Sequence, residues 1–204
     1  MDLNNREIQK LERKIGVPKN FFNTILLIGD DWTFIIKLHS FLEAAFTELI
    51  TSASGESEIG DFISKLGMSN KIAFIKKLSL LESHTRSNLQ KLSKIRNFYV
   101  HNIKNIFLSL EQYVESLNAQ DTEDFIKRIG YGIKFKLKNG KITEKNDFIK
   151  NNPRLAIFIS AISVLLEISD QIKLEEVEIK EEEFYKEVAE TFITLAKQWE
   201  KNKL

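Results

Sequence analysis

The sequence predicts a mainly α-helical protein, an antiparallel helix bundle with one small β-hairpin near residues 132–143. Three observations lead there. Apolar residues recur at steps of three and four along most of the chain, the spacing of one helix face. Only two prolines and eight glycines interrupt 204 residues, so long stretches run without a breaker. One segment alone alternates apolar residues with lysines and then meets Asn139-Gly140, the pattern of a hairpin.

Residues 3–15 read as a short polar helix with Leu3, Ile8, Leu11 and Ile15 on one side, stopped by Gly16, Val17 and Pro18. Phe21 to Ile28 is a dense apolar segment that suits a second short helix. Asp30 and Asp31 are N-cap candidates for a long helix from Trp32 to about Ser52, whose stripe is Ile35, Leu38, Leu42, Ala45, Phe46 and Leu49. His39 lies at the edge of that stripe, one turn before Glu43, and reads as a partly buried histidine paired with it. After a loop over Ser52–Ser57, Phe62, Ile63 and Leu66 make a short turn of helix ending at Gly67. Ser69 is the expected cap of the next helix, Lys71 to Leu81. His84 falls in the following connection, read as exposed and inert, with the alternative that it helps bind an anion together with Arg86.

A central helix begins near Thr85. Leu92, Ile95, Tyr99, Ile103, Ile106 and Leu110 form its expected core stripe. Residues 111–130 continue as helix with a break near Asn118. In the hairpin, Ile133, Phe135 and Leu137 alternate with Lys134, Lys136 and Lys138. That lysine face reads either as an edge charged against aggregation or as a phosphate contact. Asn152-Pro153 is a cap followed by proline at the first helical position. Leu155–Ile168 is apolar nearly all round, so it is expected at the centre or under a partner. An acidic run at 175–183 leads into a last amphipathic helix through Phe184, Val188, Phe192, Leu195 and Trp199.

Composition excludes several classes. Hydrophobic residues at 43% suffice for a core. Charged residues at 29% argue against a membrane protein, and no unbroken apolar run reaches the roughly 18 residues of a span. No signal-like core opens the chain. With no cysteine, disulfides, thiolate nucleophiles and cysteine zinc sites are excluded, and a cytoplasmic location is expected. Net charge is +1, so any nucleic-acid contact must come from a local patch. There is no glycine-rich phosphate loop, no His-x-x-x-His pair, no Ser/His/Asp arrangement that spacing can place and no spacing that argues for a metal centre. No cofactor is expected.

What remains is Arg96-Asn97-Phe98-Tyr99-Val100-His101. Arginine offers a fixed cationic fork for phosphate, and histidine titrates near neutral pH. On spacing alone the two also read as solvated residues of a helix face. On an unbroken helix they diverge by about 140°, so a compact pocket needs a bend near His101, a wrapped arginine or a second copy of the chain.

The Arg-polar-x-x-x-His spacing resembles the motif of the HEPN superfamily. Leu92 to His101 resembles its "I-R-N-x-x-x-H" end, with Arg96, Asn97 and His101 at the motif positions. Asp30-Asp31-Trp32 leading into a long apolar helix resembles the branch related to mannitol operon repressors. The resemblance covers residues 25–117. It implies a HEPN-like helical bundle there, after an N-terminal helical extension (1–24) and before C-terminal helices with the inserted hairpin (118–204) packed on the same domain. It further implies two motif copies facing each other across a homodimer cleft. The chemistry would be metal-independent RNA cleavage with Arg96, Asn97 and His101 as catalytic residues, leaving a 2′,3′-cyclic phosphate and a 5′-hydroxyl. Lys94, Lys104, Lys134, Lys136 and Lys138 are the candidate RNA contacts. Toxin members silenced by nucleotidylation carry a tyrosine where this chain has Ile103, so that control is not expected. The resemblance thus points to a metal-independent endoribonuclease, or an RNA-binding protein derived from one, in stress or defence. The competing readings are a non-catalytic, mannitol-repressor-like regulator working through protein partners, and a DNA-binding repressor.

Overall fold

The computed structural model of the chain describes Gln9, Glu12, Arg13 and residues 15–54, 57–131, 133 and 145–178. Among the described residues there are nine α-helices and no β-strand. In chain order they are α1 (Phe21–Leu26), α2 (Asp31–Ser54), α3 (Ser57–Ser64), α4 (Met68–Lys77), α5 (Ser83–Val100), α6 (Leu110–Glu115), α7 (Ala119–Ile129), α8 (Lys145–Asn151) and α9 (Pro153–Glu178). A 3-10 turn, Ile103–Phe107, separates α5 from α6. The expected hairpin, with Lys134, Lys136 and Lys138, lies outside the described residues, apart from a buried Ile133. So do the expected last helix and most of the first.

Helix α2 is the axis. Its Phe34, Ile35, Leu38, Leu42, Phe46, Leu49 and Ile50 are all buried, one continuous apolar face. It packs most extensively against α9, which buries Ala156, Ile157, Phe158, Ala161, Val164, Leu165 and Ile168. Contrary to the run-length expectation, Pro153–Ile172 is long and apolar enough to cross a membrane by length and composition, yet half of it is buried inside the bundle. A core helix of this kind meets the same criterion.

The helix starts are tied to distant residues. Asp30 caps α2 by accepting the Thr33 N–H at 2.7 Å, a bond that holds its carboxyl below the usual range. Asp31 turns inward instead. Its Oδ2 accepts the Leu110 N–H at 2.7 Å, so the first residue of α2 supplies an acceptor for the start of α6. Arg154, on the first turn of α9, sits 3.2 Å from Asp31 Oδ1, donates to the Ile28 carbonyl and lies 4.7 Å from the Phe34 ring centroid. Burial pushes the Asp31 carboxyl up, against the Leu110 bond and the Arg154 charge. Glu12 does similar work for the short α1: its carboxylate accepts the N–H groups of Asn20 at 2.9 Å and Phe22 at 3.1 Å.

Several boundaries differ from the expectation. Helix α4 starts on Gly67 rather than Ser69, because Asn70 and Lys71 both donate to the Gly67 carbonyl. It stops at Lys77, where Ser79 takes a left-handed φ of 56°. Leu81 is therefore buried outside the helix. Helix α5 starts at Ser83, so His84 sits in its first turn and not in a connection.

Helices α5 and α7 are joined by a cluster of charges. Lys91, 4% exposed, reaches Asp124 at 3.1 Å, and Arg128 pairs with the same carboxylate. Burial alone would raise the Asp124 carboxyl, but the bonds from Arg128 and Lys91 outweigh it and hold it below its ordinary value. Asp124→Asn strands the buried lysine. We expect it to cost about 2 kcal/mol at neutral pH, less than a fully buried pair because Asp124 is partly exposed. The wild-type advantage is present above the unfolded carboxylate value and is lost as pH falls through the depressed one. Urea midpoints of both proteins at about pH 7 and about pH 2 check this; equal midpoints at neutral pH would contradict it.

Candidate functional site

The motif lies at the C-terminal end of α5, and there the helix stops. The expected core stripe holds for Leu92, Ile95 and Tyr99, and for Leu110 in the next helix. It fails at Ile103, which is 76% exposed. The reason is local hydrogen bonding. Asn102 takes an extended conformation and its side chain accepts the Lys104 N–H at 3.0 Å. Asn105 Nδ2 donates to the Phe98 carbonyl at 2.8 Å, and the Tyr99 hydroxyl donates to the Leu108 carbonyl at 3.2 Å. Short polar side chains that bind nearby backbone offer the chain an alternative to helix, and here they win.

His101 is the C-cap residue and keeps a helical conformation, its N–H bonded to the Asn97 carbonyl at 3.0 Å. The break thus comes one residue too late to swing His101 toward Arg96, and the divergence of about 140° remains. Arg96 is half-buried and donates through Nη1 to Asn97 Oδ1 at 3.1 Å. Asn97 and His101 are exposed, as are Lys94 and Lys104. Arg96 and Asn97 are brought together by that bond. His101, four residues after Asn97, lies on the same side of the helix as Asn97 but diverges from Arg96, and it is exposed. Val100 at 41%, Ile103 at 76% and Phe107 at 86% exposure flank it in the chain, at the end of α5 and in the 3-10 turn that follows.

Beneath Arg96 lies a polar seam. His39 of α2 is only 7% exposed. Its Nδ1 is 3.9 Å from Glu43 Oε2, as the spacing suggested, and its Nε2 is 3.2 Å from Ser93 Oγ. Lys71 of α4, 2% exposed, reaches Glu43 Oε1 at 3.5 Å. Burial pushes the His39 imidazole below its ordinary value; Glu43 opposes this, and the Arg96 and Lys71 charges add to it. Sequence reasoning missed Ser93 and Lys71. Ser93 stands three residues before Arg96, so it shares that face, but its histidine partner is 54 residues away.

A second cluster sits at the other end of α5. An open cleft of about 540 Å³ is lined by Leu80, Glu82, His84, Arg86, Tyr131 and Glu167 among others. His84, expected to be exposed and inert, stacks on Tyr131 with centroids 3.4 Å apart and lies 2.9 Å from Glu82. Glu167 accepts from the Glu82 N–H at 3.2 Å and from Thr85 Oγ1, which fixes the start of α5. Arg86 donates to the Leu81 carbonyl. These bonds account for the cluster as a structural joint.

Among the described residues no group of three His, Asp or Glu side chains is arranged to hold a metal ion. In comparison with known proteins, no family model, no curated protein and no solved structure matches the chain. The site is therefore read on its own geometry: a helical bundle with an arginine-asparagine pair, an exposed histidine and three exposed apolar residues close to it in the chain.

Proposed function

We propose that the protein is a HEPN-like, metal-independent endoribonuclease that works as a homodimer. The observation that carries this reading is the exposure of three large apolar residues, Val100, Ile103 and Phe107, within six positions of His101. Clustered exposed apolar side chains mark association surfaces, and a second copy seated there would bring its own motif alongside. In this reading Arg96 binds the phosphoryl oxygens as charge develops on them. Asn97 holds the guanidinium, and Lys94 and Lys104 take the flanking phosphates. His101 moves a proton as the ribose 2′-hydroxyl attacks the adjacent phosphorus and the 5′-oxygen leaves.

The test is cleavage of RNA in excess EDTA, with product ends identified as 2′,3′-cyclic phosphate and 5′-hydroxyl. Intact RNA under those conditions would remove the proposal. The same apolar residues also suit a non-catalytic regulator, in which case no cleavage occurs and a different protein covers them. Phe107→Asp places a charge on the most exposed of the three apolar residues. It is expected to shift the protein from dimer to monomer by sedimentation, with loss of cleavage and an unchanged melting curve. A variant that stays dimeric and active would show that these residues are not the interface.

A further inference from the structure

Arg96 and His101 diverge on α5, so one protomer presents only half of the proton-transfer machinery at Arg96. The other half needs a group on the Arg96 face. Ser93, Arg96 and Asn97 share that face, at spacings of three and four. Ser93 is partly exposed, and behind it His39 Nε2 lies 3.2 Å from its Oγ. Glu43 lies 3.9 Å from Nδ1, too far for a hydrogen bond; with hydrogen on Nδ1, toward that negative charge, Nε2 is left as the acceptor of the Ser93 hydroxyl. A hydroxyl with a base within hydrogen-bond reach, and a carboxylate near the far side of that base, is the outline of an activated hydroxyl.

We propose that Ser93 is a second proton-transfer residue of the ribonuclease site, with His39 as the positioning residue behind it, and that each site pairs Ser93, Arg96 and Asn97 of one protomer with His101 of the other. The inference rests on the ribonuclease reading and adds the partner group that reading lacks. Ser93 Oγ takes the proton of the attacking 2′-hydroxyl as it passes its own proton to His39 Nε2. The 2′-oxygen–phosphorus bond forms and the phosphorus–5′-oxygen bond breaks. The leaving 5′-oxygen receives a proton from the opposite subunit's imidazolium, and water returns both histidines to their starting states. Ser93 as a covalent nucleophile fits less well, because mid-helix backbone N–H groups are already bonded and form no oxyanion hole.

The charged groups facing His39 are Glu43 on its own helix, Lys71 from α4 and Arg96 from α5. Burial, Arg96 and Lys71 keep the ring neutral at neutral pH, so the acidic limb of the rate profile is expected below the usual histidine range. The experiment is single-bond cleavage of a short oligoribonucleotide in EDTA from about pH 5 to about pH 9, with Ser93→Ala, His39→Gln and His101→Ala, alone and as mixed dimers. Ser93→Ala, which suits a helix, is expected to fold normally and lose about 10²-fold in kcat with KM unchanged. His39→Gln is expected to abolish the acidic limb. A mixed dimer of Ser93→Ala and His101→Ala is expected to recover about half the wild-type rate, since one of its two symmetric sites is whole. Wild-type rates and profiles in both Ser93→Ala and His39→Gln, with His101→Ala inactive, overturn the inference and leave the ribonuclease reading standing. An inactive mixed dimer overturns the division between protomers. No cleavage by the wild type overturns both.

Discussion

His101→Ala is expected to lower metal-independent RNA cleavage by about 10²–10⁴-fold, the range that a positioned acid or base contributes. The imidazole is solvent-facing and its backbone alone completes the helix end, through the Asn97 carbonyl. Its removal therefore leaves the fold intact, and the loss should appear in kcat at an unchanged melting temperature. Arg96→Lys is the companion variant. Lysine keeps the charge but not the planar fork, so it should not rescue the rate. Cleavage by His101→Ala at the wild-type rate would mean that the motif histidine takes no part in the reaction.

The second large effect is on stability. Tyr99→Ala is expected to cost about 3–5 kcal/mol, the range for emptying a fully buried aromatic site. Tyr99 has no exposed surface; its ring packs edge-on against Phe98 at 5.4 Å, and its hydroxyl bonds the Leu108 carbonyl. Tyr99→Phe keeps the ring and loses only that bond, so about 1 kcal/mol is expected. Denaturant midpoints separate the two, and similar losses for both would assign the stabilisation to the hydroxyl. Titration adds a sign. Burial raises the Tyr99 phenol above its ordinary value and pushes the Tyr113 phenol up to about 12. A raised folded value contributes stability that is full below the ordinary 10.0 and lost as pH rises through the folded value. The bundle should therefore weaken on the alkaline side.

The helical class of the protein was legible because its apolar stripes are long. Leu38, Leu42, Phe46 and Leu49 sit where period alone puts them. The motif helix was read too far for the same reason: Ile103 and Ile106 continue the period, but Asn102 and Asn105 bind backbone locally and end it. A stripe reports what would be buried if the helix went on, and it carries no information about competing side-chain bonds. At the candidate site, Arg96, Asn97 and His101 stood out by residue type. The His39–Glu43 pair was readable from its one-turn spacing. Ser93 behind Arg96 was not, since its contact with His39 joins two helices whose mutual rotation no local pattern fixes. His84 was misjudged on similar grounds, because Tyr131 and Glu167 reach it from remote parts of the chain.

The Arg154 clasp bears on how the chain assembles as it is made. Its bond to Ile28 joins positions 126 residues apart, and closing a loop of that length costs on the order of 4 kcal/mol before any contact is gained. Helix α2 has therefore left the ribosome long before α9, its main packing surface, exists. Until then the part of its apolar side that α9 covers stays open, and a nascent chain in that state is the form most in need of a chaperone.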